Sequence, residues 1–376
     1  MKKVLLVVLG VLGLGGIALG FMIYKKTQES KLIKQLDKFK IPEQFDAYTE
    51  VKALKDSKEP APLHEVKVQG EPVVPRLAGI VRDASKPENV RCASIIILAH
   101  IALNAVEKKD EIVNAIIDAL QEKEGRVGEC ASILTSKLDS DKVPVKIAEV
   151  LKSATDAKVR MNSFRAITLW VTDDSKRKRN QVVMEEVLKG VDEKDKTILM
   201  LVLRNSKRVQ FKFDAKEGKK SLGEQLEDKV LPMIALDDEE LAKAASVALG
   251  FQHSYMSDEQ KGEGIKRVAA YAAGDRKKHV RLNALLLLKN LNGELAQNTA
   301  TIANCDLDAV MSYLESDDPD FLKPALETLK QCGTLQKHRA AVKAFKERER
   351  PGTTEELRKL AGEAIEKILK REEGGE

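Results

Sequence analysis

Apolar residues recur along most of this chain at the spacing of one helical face, in pairs of short segments. Gly264 to Asn292 shows the unit. Ile265, Val268, Ala269 and Ala272 fall at i, i+3, i+4 and i+7, which predicts an amphipathic helix. After a short charged turn, Val280, Leu282, Ala284, Leu285, Leu287, Leu288 and Leu291 cover more than half of a second helix. A helix apolar on nearly every side needs its own hairpin mate and also the hairpins before and after it. Few segments alternate with the period of two that a sheet requires.

The same pairing repeats from Pro72 onward. Val73–Asp83 pairs with Asn89–Val106, and the next two hairpins end near Leu138 and Val171. A fourth ends near Ser206, a fifth near Gln252, and the Gly264 unit is the sixth. A seventh contains Phe321 and Leu322, and an eighth ends near Lys370. Before them, Val4–Tyr24 is an unbroken apolar run between Lys2-Lys3 and Lys25-Lys26. At helical rise it spans about 30 Å, the thickness of a bilayer core. The organisation predicted is therefore an anchor over residues 1–26, a stalk or linker over 27–71, a helical array over 72–370 and a tail over 371–376. Gly16 and Gly20 make one G-x-x-x-G match in the anchor.

The second helices open alike: Val90-Arg91, Val159-Arg160, Val280-Arg281, Leu322-Lys323 and Leu357-Arg358. A small residue stands three positions beyond the basic one at Ser94, Ser163, Ala284 and Ala361, and Leu326 departs from this. Gly128 and Ala242 replace the basic residue in the second and fifth hairpins. This pattern resembles the HEAT, or armadillo-like, repeat, at spacings of roughly 32 to 45 residues. The resemblance implies an all-α fold, a right-handed α-solenoid of about eight hairpins, here preceded by one transmembrane helix. It also implies a scaffold or adaptor that binds a macromolecular partner on a long concave face, with each basic side chain tying one hairpin to the next turn.

Composition narrows the reading. Aromatics are 4% and charged residues 33%, which suits helices packed through Leu, Ile, Val and Ala. The net charge of +5 is concentrated in the first 26 residues, which hold four lysines and no acid. The body is nearly balanced, so a general nucleic-acid-binding function is not indicated. A single-pass anchor places the chain in a membrane, and a bacterial inner membrane is expected. A cleaved secretory signal is the alternative, because Ala18-Leu19-Gly20 offers small residues for cleavage. The short Met-Lys-Lys start argues for an exported body, whereas the lysines from Lys25 to Lys40 argue for a cytoplasmic one. Cys92, Cys130, Cys305 and Cys332 contain no C-x-x-C pair and read as buried thiols. A Cys305–Cys332 bridge would require an exported body.

Catalytic chemistry has no visible constellation. The five histidines form no H-E-x-x-H and no i, i+4 pair, so no metal is indicated. No G-x-S-x-G, P-loop or dinucleotide fingerprint is present, and no cofactor or small-molecule substrate is indicated. An enzyme of lyase or glycosylase type rests on fold analogy alone. Asp317-Asp318-Pro319-Asp320 and Asp237-Asp238-Glu239-Glu240 stand at helix starts, where carboxylates satisfy free N–H groups. Trp170 sits in a buried helical pattern. The candidate site is electrostatic: Lys176, Arg177, Lys178 and Arg179 follow the third hairpin, and Lys207, Arg208, Lys212, Lys216, Lys219 and Lys220 follow the fourth. Loops after successive second helices emerge on one edge of a solenoid, so these groups are expected to form a basic rim for an acidic protein or lipid, with a nucleic acid the alternative if the body is cytoplasmic. Between them Val209-Gln210-Phe211-Lys212-Phe213 alternates, a pattern that suits insertion at a surface or addition of a strand.

Overall fold

The computed structural model describes Tyr24, residues 27–41, Lys52, 63–171, Lys178, 180–214, 219–272, 276–296, 306–348 and 352–373. Two compact units divide at Thr172. In the first, α1 covers residues 27–36 and α2 is His64–Lys67. Then come α3 (Val74–Arg82), α4 (Glu88–Ala102), α5 (Lys109–Ala119), α6 (Val127–Leu134), α7 (Lys142–Ser153) and α8 (Ala157–Trp170). The second unit holds α9 (Gln181–Gly190), α10 (Lys196–Ser206), α11 (Leu222–Val230), α12 (Glu239–Gln252) and α13 (Asp258–Ala272). It continues with α14 (Lys278–Leu295), α15 (Asp308–Met311), α16 (Pro319–Cys332), α17 (Gln336–Glu347) and α18 (Glu355–Glu372).

Consecutive helices pair as antiparallel hairpins, and the second helices then stack on one another. In the first unit α4 packs on α6 and α6 on α8. In the second, α10, α12, α14, α16 and α18 form one row. This is an all-helical α-solenoid arrangement, and its cause is the one the apolar pattern gives. In α4, Val90, Cys92 and Ile95 to Ala99 are buried on all sides, and α14 buries Ala284, Leu285, Leu287, Leu288 and Leu291. Such helices bury most of their circumference, so each must lie between neighbours.

Polar residues set where helices start and how hairpins join. Asp156, Asp195, Asp238 and Asp318 cap α8, α10, α12 and α16 with side-chain oxygens that accept from backbone N–H groups of the first turn. The acids at 238 and 318 are thus caps. Arg91 donates from Nε to the Val81 carbonyl at 2.9 Å and pairs with Glu122 in the next hairpin's turn. Lys323 meets Glu356 at 3.0 Å in the same way. Arg281 instead lies over the rings of Tyr313 and Phe321, at 5.2 and 4.9 Å, tying its hairpin to the following one by cation–π contact. Trp170 is buried and donates from Nε1 to the Leu138 carbonyl at 2.9 Å.

The membrane localisation expected from the amino-terminal run is corrected. No helix among the described residues is long and apolar enough to cross a membrane. The described helices are amphipathic or carry charges along their length, as α14 does at Lys278, Arg281, Lys289 and Glu294. The run itself lies outside the described residues except for Tyr24, as do Gly16 and Gly20. Residues 27–41 lie against the first hairpin: Leu32, Leu36 and Phe39 are buried, and Asn89 Nδ2 donates to the Phe39 carbonyl at 3.0 Å. Lys86 pairs with Glu29 at 3.1 Å.

Candidate functional site

The basic loop is built by one buried amide. Gln252, at the end of α12, accepts from Phe211 N–H at 3.2 Å and donates to the carbonyls of Ser206 and Val209 at 3.2 and 3.0 Å. These bonds saturate its carboxamide and fasten the segment after α10 to α12. The alternation then decides which side chains go inward. Val209, Phe211 and Phe213 are all buried, whereas Lys212 is exposed. The Phe213 carbonyl accepts from Gln260 Nε2 at 2.8 Å. Gly223 lets the Phe213 ring approach, because a Cβ there would lie 2.7 Å from it. The aromatics of this segment are therefore structural. They are not available for insertion elsewhere, which corrects the expectation of a free inserting segment.

Of the ten cations expected at the rim, Lys176, Arg177, Arg179 and Lys216 lie outside the described residues. The structure does bring the two loops together at Lys178, whose carbonyl accepts from Gln210 N–H at 2.8 Å. Lys207 extends over the ring of Phe251 at 5.7 Å. Lys220 is engaged within the chain, paired with Asp228 at 2.5 Å. Burial favours the neutral form of Asp228, yet Lys220 and Arg267 beside it hold its carboxyl below the usual range. Among the described residues the side chains of Lys178, Arg208, Lys212 and Lys219 form no ion pair; Lys212 and Lys219 are exposed and Lys178 and Arg208 half-buried.

Beside this loop the second helices carry a groove of about 460 Å³. It is lined from α12 by Val247, Gly250 and Phe251, from the turn that follows it by Ser254, from α14 by Lys289, Asn290, Gly293 and Glu294, and from α16 by Gln331. Val247 is 45% and Phe251 50% exposed, high for such side chains. Two glycines shape the groove. A Cβ on Gly250 would stand 2.6 Å from Asn290 Nδ2, and one on Gly293 would stand 2.9 Å from Gln331 Nε2. Each carboxamide therefore lies on a glycine of the preceding second helix. Lys289 pairs with Glu327, and Lys330 with Glu363 at 2.6 Å, so charges along the row compensate each other across helices. Sequence reasoning did not reach this groove, because its residues are separated by about one repeat and each alone reads as a solvated surface position.

No group of His, Cys, Asp and Glu among the described residues is arranged to hold a metal. Cys92 and Cys130 are buried thiols on adjacent second helices, and Cys130 Sγ is 3.9 Å from the Cys92 carbonyl. Cys332 is buried in α16, and Cys305 lies outside the described residues.

No family model matches the chain, and neither does any curated protein. Solved structures do. Kap121p bound to Pho4p is 13% identical with a TM-score of 0.56, covering 89% of this chain and 39% of its own. The karyopherin Kap121p bound to the SUMO protease Ulp1p is 12% identical with a TM-score of 0.57, covering 93% of this chain and 38% of its own. At such identity the likeness shows the fold, a HEAT-like helical solenoid. The chain spans about two fifths of the length of these structures.

Proposed function

We propose that this protein is a helical-repeat scaffold that binds a protein partner, with the basic loop around Lys207 to Lys220 as its docking edge. We read residues 72–370 as eight HEAT-like hairpins of right-handed connection and treat the chain as a binding protein rather than an enzyme. One observation carries the reading. Gln252 and three buried apolar side chains hold a loop in which Arg208, Lys212 and Lys219 are left without acidic partners among the described residues, and a chain gains nothing in stability from presenting unpaired charge on a rigid frame. The solved structures of similar fold support the class of function, since those of Kap121p hold the proteins Pho4p and Ulp1p. An acidic surface on the partner is the natural complement.

The test is charge reversal. A tagged chain carrying Lys178→Glu, Lys207→Glu, Arg208→Glu, Lys212→Glu and Lys219→Glu is compared with wild type by chemical cross-linking in extracts of the source cells. The wild type is expected to yield discrete protein adducts that the variant loses at unchanged helicity. Identical adducts from both would overturn the proposal.

A further inference from the structure

We infer that the groove across α12, α14 and α16 receives an extended segment of a partner protein, acidic at the end that meets the basic loop. This rests on the scaffold reading above and adds to it a second, chemically distinct surface. Asn290 and Gln331 make no hydrogen bond among the described residues, and both are exposed in the groove. A carboxamide offers an acceptor and two donors, which matches the C=O and N–H of a peptide unit. Helical or sheet surfaces of a partner have already spent those main-chain groups, whereas an extended segment has not. The glycines beneath the two amides let them lie low against the row. The ion pairs Lys289–Glu327 and Lys330–Glu363 keep the neighbouring charged side chains occupied with each other.

Two more features fix the occupant. Val247 and Phe251 offer apolar area on the α12 side, suited to one or two aliphatic or aromatic side chains. Lys207, on the Phe251 ring, leads from there to Arg208 and Lys212, so an acidic run continuing past the apolar anchor meets uncompensated cations. Glu294 on α14 opposes acidic residues further along the groove. The segment is thus polar in its charge, with apolar residues over α12, its main chain along the amides of α14 and α16, and acids toward the loop.

Fluorescence anisotropy of the whole chain with three synthetic peptide pools tests this. One pool has an apolar Leu, Ile and Phe core flanked by Asp and Glu. The second carries Lys and Arg in the flank. The third repeats the acidic pool with an N-methylated core that lacks main-chain donors. The acidic pool is expected to bind, with the basic and N-methylated pools each about tenfold weaker or more. The double variant Asn290→Ala, Gln331→Ala should weaken the acidic pool about tenfold at unchanged melting temperature, and Phe251→Ala should weaken it similarly. Equal binding of the basic or N-methylated pool, no loss in the double variant, or no binding of any pool would overturn the inference. If loop-dependent adducts persist in the double variant while the pools fail, the groove is wrong and the scaffold reading stands. If wild type gives no loop-dependent adduct, the scaffold reading itself fails.

Discussion

Asn162 in the amino-terminal unit occupies the same kind of place as Asn290 and Gln331 in the carboxyl-terminal unit, on a glycine of the preceding second helix. Asn162 Nδ2 lies against Gly128 as Asn290 does against Gly250. The surroundings differ. Asn162 is fully buried, and neither of its amide atoms finds a partner among the described residues. Asn290 and Gln331 stand exposed in an open groove and make no hydrogen bond among the described residues. A third carboxamide, Gln252, is buried with all its bonds made inside the chain. One side-chain type thus serves as buried packing, as exposed groove lining and as structural clamp, and burial together with available partners decides which. The proposed binding surface lies in the second unit, where amides without hydrogen bonds stand beside cations without ion pairs among the described residues.

The clamp should matter most. Gln252→Ala leaves two buried backbone groups, Phe211 N–H and the Val209 carbonyl, without partners, while the Ser206 carbonyl keeps its bond from Val209 N–H; it should cost about 2–3 kcal/mol in urea unfolding. Proteolysis should then cut within 207–214, and an unchanged pattern there would separate the loop from the clamp. Next comes the glycine under the buried amide. Gly128→Ala drives a methyl group into Asn162, with the Glu122 carbonyl only 3.2 Å away, and should cost about 1–3 kcal/mol. At Gly250 and Gly293 the obstructing amides can swing into solvent, and alanine is the better helix former. Those two variants should stay within about 1 kcal/mol of wild type yet weaken peptide binding. Asn162→Leu replaces an unpartnered buried amide by an apolar group of similar shape and should raise stability by about 1 kcal/mol in the same assay.

The smallest difference at neutral pH emerges on acidification. Burial, with Lys261 nearby, lowers the pKa of His253 in the second unit to about 3. The unfolded chain takes up a proton near pH 6.5 that the folded chain refuses, so stability falls as pH drops from about 6.5 toward about 3. In the first unit, backbone N–H groups of Val106, Lys108 and Glu107 hold the Glu71 carboxylate below its usual range, against a small opposing effect of burial. Its contribution is present above the unfolded carboxylate pKa and is lost only as pH falls through the lower folded value. Trp170, the one tryptophan, lies in the first unit. His253→Gln should therefore shift the acid loss of helicity while leaving the Trp170 fluorescence transition in place, and Glu71→Gln should do the reverse.

The helices, their pairing and several caps were legible in the sequence because they depend on neighbours within a few residues. The spacing of Ile265, Val268 and Ala272, the capping acids Asp238 and Asp318, and the buried place of Trp170 all follow from local pattern. The amides were not legible. Gln252 reads as an ordinary helix end until a loop some forty residues earlier is seen to close on it. Asn290 and Gln331 acquire meaning only through Gly250 and Gly293 on the preceding helix, in hairpins of unequal length. The alternation at Val209 to Phe213 was visible, but whether its apolar side met this chain or another depended on tertiary packing. Gly128 stood out as a break in the basic pattern, and Asn162 supplies its reason.

The most direct measurement places a photo-cross-linking residue at Asn290, in the groove of the second unit, and separately at Asn114, in a smaller groove on the first helices of the amino-terminal unit. Irradiated in the source cells, the chain substituted at position 290 should give a discrete protein adduct that is lost when the loop cations are reversed, and the chain substituted at 114 should give none. Adducts from 114 alone, or from neither position, would contradict the assignment of binding to the amides and cations of the second unit.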